Sequence, residues 1–151
     1  MQYLPASCQQ LNQFYKQNKD KARAKPQDFM YAAINDKGQI CAVLRLLRYD
    51  TSYNTSYEIC DATFLFLRSV LTASDHRGQG IASNLILHAL KQHDEIPTYT
   101  LPTPLAIPLY QRLGFEAVIN TEIPAPLLAS YRRFRQRDKD SRVMVINSRL
   151  G

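Results

Sequence analysis

The sequence is poor in the features that mark a membrane protein, a metal site or an oxidised scaffold. No apolar run approaches the ~20 residues that cross a bilayer. The opening residues, Met1-Gln2-Tyr3-Leu4-Pro5, lack the basic and apolar regions of a secretory leader. Cysteine is confined to Cys8, Cys41 and Cys60, with no Cys-x-x-Cys and no Cys/His spacing suited to zinc. An odd, sparse set reads as reduced thiols, acting as small buried apolar residues. His76, His88 and His93 suggest no metal site either, since His88 and His93 stand five apart on a helix and fall on different faces. Internal repeats and low-complexity tracts are missing. Together these absences predict a single cytoplasmic domain over residues 1–151, with no membrane partner and no metal.

Charge is present but unevenly spread. The net charge is +6, with 21% charged and 45% hydrophobic residues, an ordinary globular balance. Residues 16–25 carry five basic side chains against Asp20, and residues 132–142 carry six against Asp138 and Asp140. Each segment is therefore +4, and the remainder of the chain is −2. Two local patches, rather than a generally basic protein, need a reason.

The periodicities give a mixed element order. Ser7 with Gln10 forms a capping-box pattern before the stripe Cys8, Leu11, Phe14, Tyr15. A polar connection over 19–27, stopped by Pro26, leads into a strand over 29–34. The turn Asn35-Asp36-Lys37-Gly38 returns the chain as a strand over 39–48. Residues 50–62 are polar and rich in Tyr, Ser and Thr, and read as a loop. An apolar strand over 64–72, a helix from Ile81 and a short strand over 97–101 follow. Thr103 and Pro104 open a further helix, whose start Pro108 should kink or delay and which Gly114 ends. A strand over 115–119, a helix opened by Pro124 and Pro126, a basic stretch and a strand over 143–146 complete the chain. The order predicts an α/β (α+β) fold, a mixed sheet with helices on both faces.

The chain is organised around 64–93. Its turn, Ala73-Ser74-Asp75-His76-Arg77-Gly78-Gln79-Gly80, joins the apolar strand to a helix striped by Ala82, Leu85, Ile86, Ala89 and Leu90. Gly78 and Gly80 let a ligand approach the backbone closely. The N–H groups of the helix's first turn, the helix dipole and Arg77 all favour an anion, most naturally a phosphate or pyrophosphate. A P-loop is excluded, because no Gly-Lys-Ser/Thr is present in the required place. A dinucleotide fingerprint is a near miss, with Ser83 where Gly or Ala belongs and five residues between Thr72 and Gly78.

The pattern that fits, Arg77-x-x-Gly80-x-Ala82 after an apolar strand, resembles the acyl-CoA-binding motif of the GNAT superfamily of N-acyltransferases. A second segment, Ala106-Ile107-Pro108-Leu109-Tyr110-Gln111-Arg112-Leu113-Gly114-Phe115, resembles that family's later Ala-x-x-x-Tyr-x-x-x-Gly-Phe helix. The resemblance covers roughly residues 29–120. It implies a mostly antiparallel mixed sheet with splayed central strands, and acetyl-CoA as acyl donor without a metal. It implies that Arg77, Gly78, Gln79, Gly80, Ile81, Ala82 and Ser83 hold the pyrophosphate, with Arg77 either a charged neighbour or a turn residue. Leu71 and Thr72 would present backbone groups to the pantetheine arm. Tyr110 would be the general acid for the leaving thiolate, against the plainer reading of a half-buried helix aromatic.

Three positions depart from the family. Thr103 stands where many members have Asn, Pro108 is unusual, and Arg68 occupies the place of a frequent catalytic carboxylate. Glu58 and Asp61 are base candidates only by nearness in sequence, so no base is assigned. The expected reaction is direct attack of a primary amine, on a small molecule or a peptide, in a ternary complex. Two rivals stay open: a CoA-binding module without catalysis, favoured by Arg68, and a nucleic-acid-binding protein using the basic patches, the less favoured partner. The run Tyr131-Arg132-Arg133-Phe134-Arg135-Gln136-Arg137 is read as a solvated helix face, an acceptor-binding edge or a nucleic-acid contact. The oligomeric state is open, and a homodimer is compatible with the sequence.

Overall fold

The computed structural model describes the backbone over residues 1–54 and 59–147, and side chains there except over 51–62. Strands Gln2–Pro5 (β1), Phe29–Ile34 (β2), Ile40–Asn54 (β3), Ile59–Thr72 (β4), Thr98–Thr100 (β5), Glu116–Ala117 (β6) and Met144–Ile146 (β7) form one sheet. Its order is β1-β2-β3-β4-β5-β7-β6. The pairs β1–β2, β2–β3, β5–β7 and β6–β7 are antiparallel. Among the described residues four α-helices join them: Cys8–Gln17 (α1), Ile81–Gln92 (α2), Ile107–Leu113 (α3) and Leu128–Arg137 (α4). This is the mixed sheet that the element order predicted, mostly antiparallel as the resemblance implied.

The chain divides into two compact units. The first comprises Met1–Arg48 and Leu67–His93. Helix α1 starts as its sequence dictates: the Ser7 hydroxyl accepts from the Gln10 N–H at 3.1 Å, and the Gln10 side-chain Oε1 accepts from the Ser7 N–H at 2.9 Å. Such a cap is worth about 1 kcal/mol. The helix buries Leu11, Phe14 and Tyr15 in a cluster with Ala24, Ala32 and Val43. Each large apolar side chain in such a core contributes about 1.5–3 kcal/mol. Helix α2 buries Ile81, Leu85, Ile86, Ala89 and Leu90, the expected stripe, with Ala82 half-buried at its edge.

The second unit comprises Tyr49–Phe66 and the chain from Asp94 onward. Phe64 anchors it, stacked on Tyr49 at 5.1 Å and edge-on to Tyr99 at 5.2 Å. The Leu65 N–H donates to the Pro97 carbonyl at 2.9 Å. Leu127, Val143, Met144 and Phe115 are almost fully buried.

Four expectations change. Residues 2–5 form an edge strand whose partners are 26 to 32 residues away, and a local pattern holds no sign of it. The span 50–62 is not a loop throughout, since β3 runs to Asn54 and β4 begins at Ile59. Its Tyr and Thr residues favour strands even where the pattern is polar. The strand expected over 115–119 is reduced to Glu116–Ala117. Thr103 precedes a short 3₁₀ turn, Pro104–Ala106, and makes no side-chain cap. Pro108 sits in the first turn of α3 and so delays the start of that helix, where its missing N–H costs nothing.

Candidate active site

The turn after β4 is built by backbone geometry. Ser74–His76 is a single 3₁₀ turn, and Arg77 is extended. Gly78 has φ +78° and Gly80 φ +75°, in the left-handed region that costs other L-residues roughly 1–2 kcal/mol. A Cβ at either glycine would meet nothing within 4 Å, so these glycines are required by φ and not by crowding. Gly80 is the N-cap of α2, and no side chain caps that helix. The N–H groups of its first turn, on Ile81, Ala82 and Ser83, therefore take no side-chain acceptor at the cap and lie beside a solvent-exposed loop. Uncapped N–H groups with a positive dipole end make an anion cradle.

The cradle continues into the strand. Arg77 folds back, its Nε donating to the Thr72 carbonyl at 3.2 Å, which ties the turn to the end of β4. The Ala73 N–H donates to the Cys41 carbonyl at 2.9 Å. Burial changes abruptly along β4. Phe64, Leu65, Phe66 and Leu67 are at most 3% exposed, whereas residues 68–72 are all half-buried, the apolar Val70 and Leu71 included. The structure thus places Leu71, Thr72, Arg77, Gly78, Gln79, Gly80, Ile81, Ala82 and Ser83 on one continuous stretch of strand end, turn and helix start. Ser69, just before it, has φ +55° inside a strand, an uncommon conformation for a residue with a Cβ.

Tyr110 belongs to the second unit. It is 6% exposed, on α3, edge-on to Phe115 at 5.3 Å. Gly114, with φ +104°, ends the helix and returns the chain so that Phe115 N–H reaches the Tyr110 carbonyl. The Tyr110 hydroxyl hydrogen-bonds the Thr100 side chain on β5. Burial pushes its pKa up to about 12, and the Thr100 bond offsets this only in part. Tyr110 is therefore a weaker acid than a solvent-exposed tyrosine.

The remaining candidates sort as follows. Glu58 and the side chain of Asp61 lie outside the described residues. Arg132 and Arg133 are exposed on α4. Farther along, the Arg135 guanidinium donates to the Tyr131 hydroxyl at 3.2 Å, and that hydroxyl donates to Asn120 Oδ1 at 2.9 Å. Arg135, Lys139 and Arg142 border a groove of about 570 Å³ beside Asn120. His88 and His93 both meet the Tyr31 ring edge-on at 5.8 Å, so they do share a neighbour. His93 is the C-cap, with φ −136°, and has left the helical path on which the spacing argument rested. Among the described residues no cluster of His, Cys, Asp and Glu suits a metal. Sequence reading missed Thr100, whose role emerges only once β5 pairs with β7, and the buried charge Arg45, visible as one cation in an apolar strand.

Known proteins share this fold. Among curated proteins, none matches the sequence. Among solved structures, N-acetylglutamate synthase from Neisseria gonorrhoeae, complexed with coenzyme A and N-acetyl-glutamate, is similar with a TM-score of 0.66 at 10% identity. The match covers 98% of this chain and 35% of that one, so the chain spans about a third of that enzyme. Arabidopsis thaliana NAA60 in complex with acetyl-CoA is similar with a TM-score of 0.64 at 15% identity, over 97% of each chain. A GNAT-family acetyltransferase from Staphylococcus aureus Mu50 has a TM-score of 0.59 at 14% identity, over 98% of this chain and 99% of that one. These likenesses establish the fold. The sequence pattern of the acetyltransferase (GNAT) domain matches residues 26–117, and it spans β2, β3, β4, the glycine turn and the Tyr110 helix. The chain belongs to the GNAT acetyltransferase family.

Proposed function

We propose that the protein transfers the acetyl group of acetyl-CoA to a primary amine by direct attack in a ternary complex. The observation that carries this reading is the turn over 77–83, with two left-handed glycines leading into the uncapped N-terminus of α2. The pyrophosphate of acetyl-CoA lies against the N–H groups of that turn. The pantetheine arm runs along the half-buried end of β4 at Leu71 and Thr72, pairing with backbone as an added strand would. Positioning of the thioester is then the main source of rate.

The neutral amine attacks the thioester carbon, forming a C–N bond, and the carbonyl oxygen becomes an oxyanion held by backbone N–H of β4. Collapse of this intermediate breaks the C–S bond. Tyr110 serves the departing sulfur, and its raised pKa shapes how. A thiol of pKa ~8.5 is a stronger acid than a tyrosine near 12, so complete transfer from Tyr110 is uphill by about 5 kcal/mol. Tyr110 therefore donates a hydrogen bond that stabilises the thiolate as charge develops. The proton lost by the amine passes through water to solvent or sulfur, and no side-chain base is assigned.

The acceptor is a small molecule or a peptide amine. One structural relative is complexed with N-acetyl-glutamate, which supports the small-molecule kind. A second reading, a CoA-binding domain without turnover, draws on Arg68 standing where a carboxylate is frequent. One experiment separates the two: a screen of amino acids, polyamines and peptide N-termini with acetyl-CoA, read by release of free thiol. Amine-dependent thiol release is expected. Tight acetyl-CoA binding with no release for any amine would favour the binding domain.

A further inference from the structure

The left-handed Ser69 is held by a buried network that the reaction as described does not use. The Tyr15 hydroxyl, on α1, donates to the Ser69 carbonyl at 2.8 Å across 54 residues of sequence. Arg45, on β3, reaches the Ser69 hydroxyl from Nε at 3.5 Å and pairs with Asp28 Oδ2 at 3.1 Å. The Arg45 and Asp28 side chains are only 8% and 3% exposed. Asp28 Oδ2 also accepts the Lys25 N–H at 2.9 Å. All four residues belong to the first unit, as does the cradle.

The geometry of one peptide plane gives this network a consequence. The Ser69–Val70 peptide is trans, since there is no cis peptide bond among the described residues. In a planar trans peptide the C=O and the following N–H point in opposite directions. Fixing the Ser69 carbonyl on the Tyr15 hydroxyl therefore turns the Val70 N–H away from that hydroxyl. A residue at φ +55° breaks the alternation of the strand, so this direction differs from that of a regular ladder position. The conformation costs roughly 1–3 kcal/mol and persists only where the surroundings enforce it.

We infer that Tyr15 is a positioning residue, supported by the Arg45–Asp28 pair, and that it aims the Val70 N–H at the thioester carbonyl of bound acetyl-CoA. This rests on the donor reading above, to which it adds the identity of the N–H and of the side chains that orient it. Tyr15 suits the task. Burial raises its pKa far above neutrality, so the hydroxyl always carries the proton that it donates. Arg45 holds the Ser69 side chain and is itself fixed by a carboxylate with which it leaves water.

Coenzyme A lacks the acetyl carbonyl and so gives the test its internal control. Calorimetry with acetyl-CoA and with coenzyme A would be run on the intact protein and on Tyr15→Phe, Ser69→Gly and Ser69→Val. The intact protein should prefer acetyl-CoA, with the Val70 amide shifting in NMR spectra on acetyl-CoA but not on coenzyme A. Tyr15→Phe should lose about fivefold of that preference, the effect of one ordinary hydrogen bond, with coenzyme A affinity unaltered. Ser69→Gly, at ease with positive φ, should keep it. Ser69→Val, a β-branched residue disfavoured there, should lose it by a second route. An unchanged preference in both Tyr15→Phe and Ser69→Val would overturn the inference, as would a Val70 amide indifferent to the acetyl group. An intact protein that binds neither molecule would instead sink the donor reading, and this inference with it.

Discussion

The turn over 74–83 and the corner around Tyr110 are built on opposite plans. The first is exposed, formed by backbone, and needs only two glycines and a helix end to act. The second is buried, formed by side chains, and depends on a ring contact with Phe115, a hydroxyl bond to Thr100 and a glycine that reverses the chain. The contrast shows why each tolerates different changes. An exposed backbone site is damaged by what is added to it, because a new side chain meets the ligand before it meets the protein. A buried side-chain site is damaged by what is taken away, because its atoms have no substitute and its cavity does not fill.

The largest expected effect tests the rule that removal harms buried groups. Asp28→Ala leaves Arg45 buried without its carboxylate and should cost about 3–5 kcal/mol of stability. Its urea midpoint should fall accordingly. The pair Asp28→Leu with Arg45→Met should recover most of the loss, because apolar replacements remove both charges. Equal stability of the single and double variants would mean that the charges are better solvated than their burial implies.

Tyr110→Phe comes next. It keeps the ring against Phe115 and deletes the hydroxyl. A fall in kcat of roughly tenfold to a hundredfold is expected, the low end for an acid–base group. The Kd for acetyl-CoA by calorimetry should be nearly unaltered, since ring and backbone stay in place. Wild-type kcat would reduce Tyr110 to a packing residue. Because the hydroxyl keeps its proton below a pKa of about 12, Tyr110 should contribute no alkaline fall to the pH–rate profile between pH 7 and pH 10.

A smaller effect is expected from the exposed arginines. Arg132→Ala with Arg133→Ala should raise the KM for an anionic acceptor by about threefold to tenfold, the scale of surface charges, and leave acetyl-CoA affinity alone. Loss of acetyl-CoA binding would assign this face to the CoA phosphates, and no change in either would leave α4 a solvated face.

The smallest concerns pH. Burial lowers the pKa of His93, whose Nε2 lies 2.7 Å from the Tyr31 hydroxyl. The unfolded chain then binds the proton more readily than the folded one. The stabilisation is fully present above the unfolded value of ~6.5 and is lost as pH falls below it toward the lowered folded value. The melting temperature should drop by about a few degrees between pH 7 and pH 5. His93→Gln should flatten that slope, and an equal slope in the variant would assign it to other groups.

What was legible in the sequence follows the same division. The turn could be read because glycine declares a backbone conformation: Gly78 and Gly80 are both left-handed, and α2 begins at Ile81 as its stripe required. Helix α1 was equally plain, because the Ser7–Gln10 cap is a local device. Partnerships between distant strands were not legible. Residues 2–5 become a strand only by pairing with β2, and nothing within five residues announces that. Thr100, Tyr15 and Asp28 carry no local signature, since the first meets Tyr110 through β5 and the others meet Ser69 and Arg45 through the packing of α1 and β3. The polar span over 50–54 was misread for a related reason: its pattern lacks the alternation of a half-buried strand, yet β3 runs through it.

The central claim is that the turn over 77–83 binds the pyrophosphate of acetyl-CoA through its backbone, and one calorimetric comparison tests it most directly. Gly80→Asn and Gly80→Asp are nearly equal in shape, and Asn and Asp are the non-glycine residues most at ease with φ near +75°. Neither added Cβ meets protein within 4 Å, so both variants should fold. They differ by one negative charge at the place where the phosphates would lie. Acetyl-CoA should bind Gly80→Asn modestly more weakly than the intact protein. It should bind Gly80→Asp about tenfold to several hundredfold more weakly than Gly80→Asn, since like charges roughly 4 Å apart repel by ~1 kcal/mol in water and up to ~4 kcal/mol near a protein surface. Equal affinities in the two variants would place the phosphates elsewhere and contradict the account.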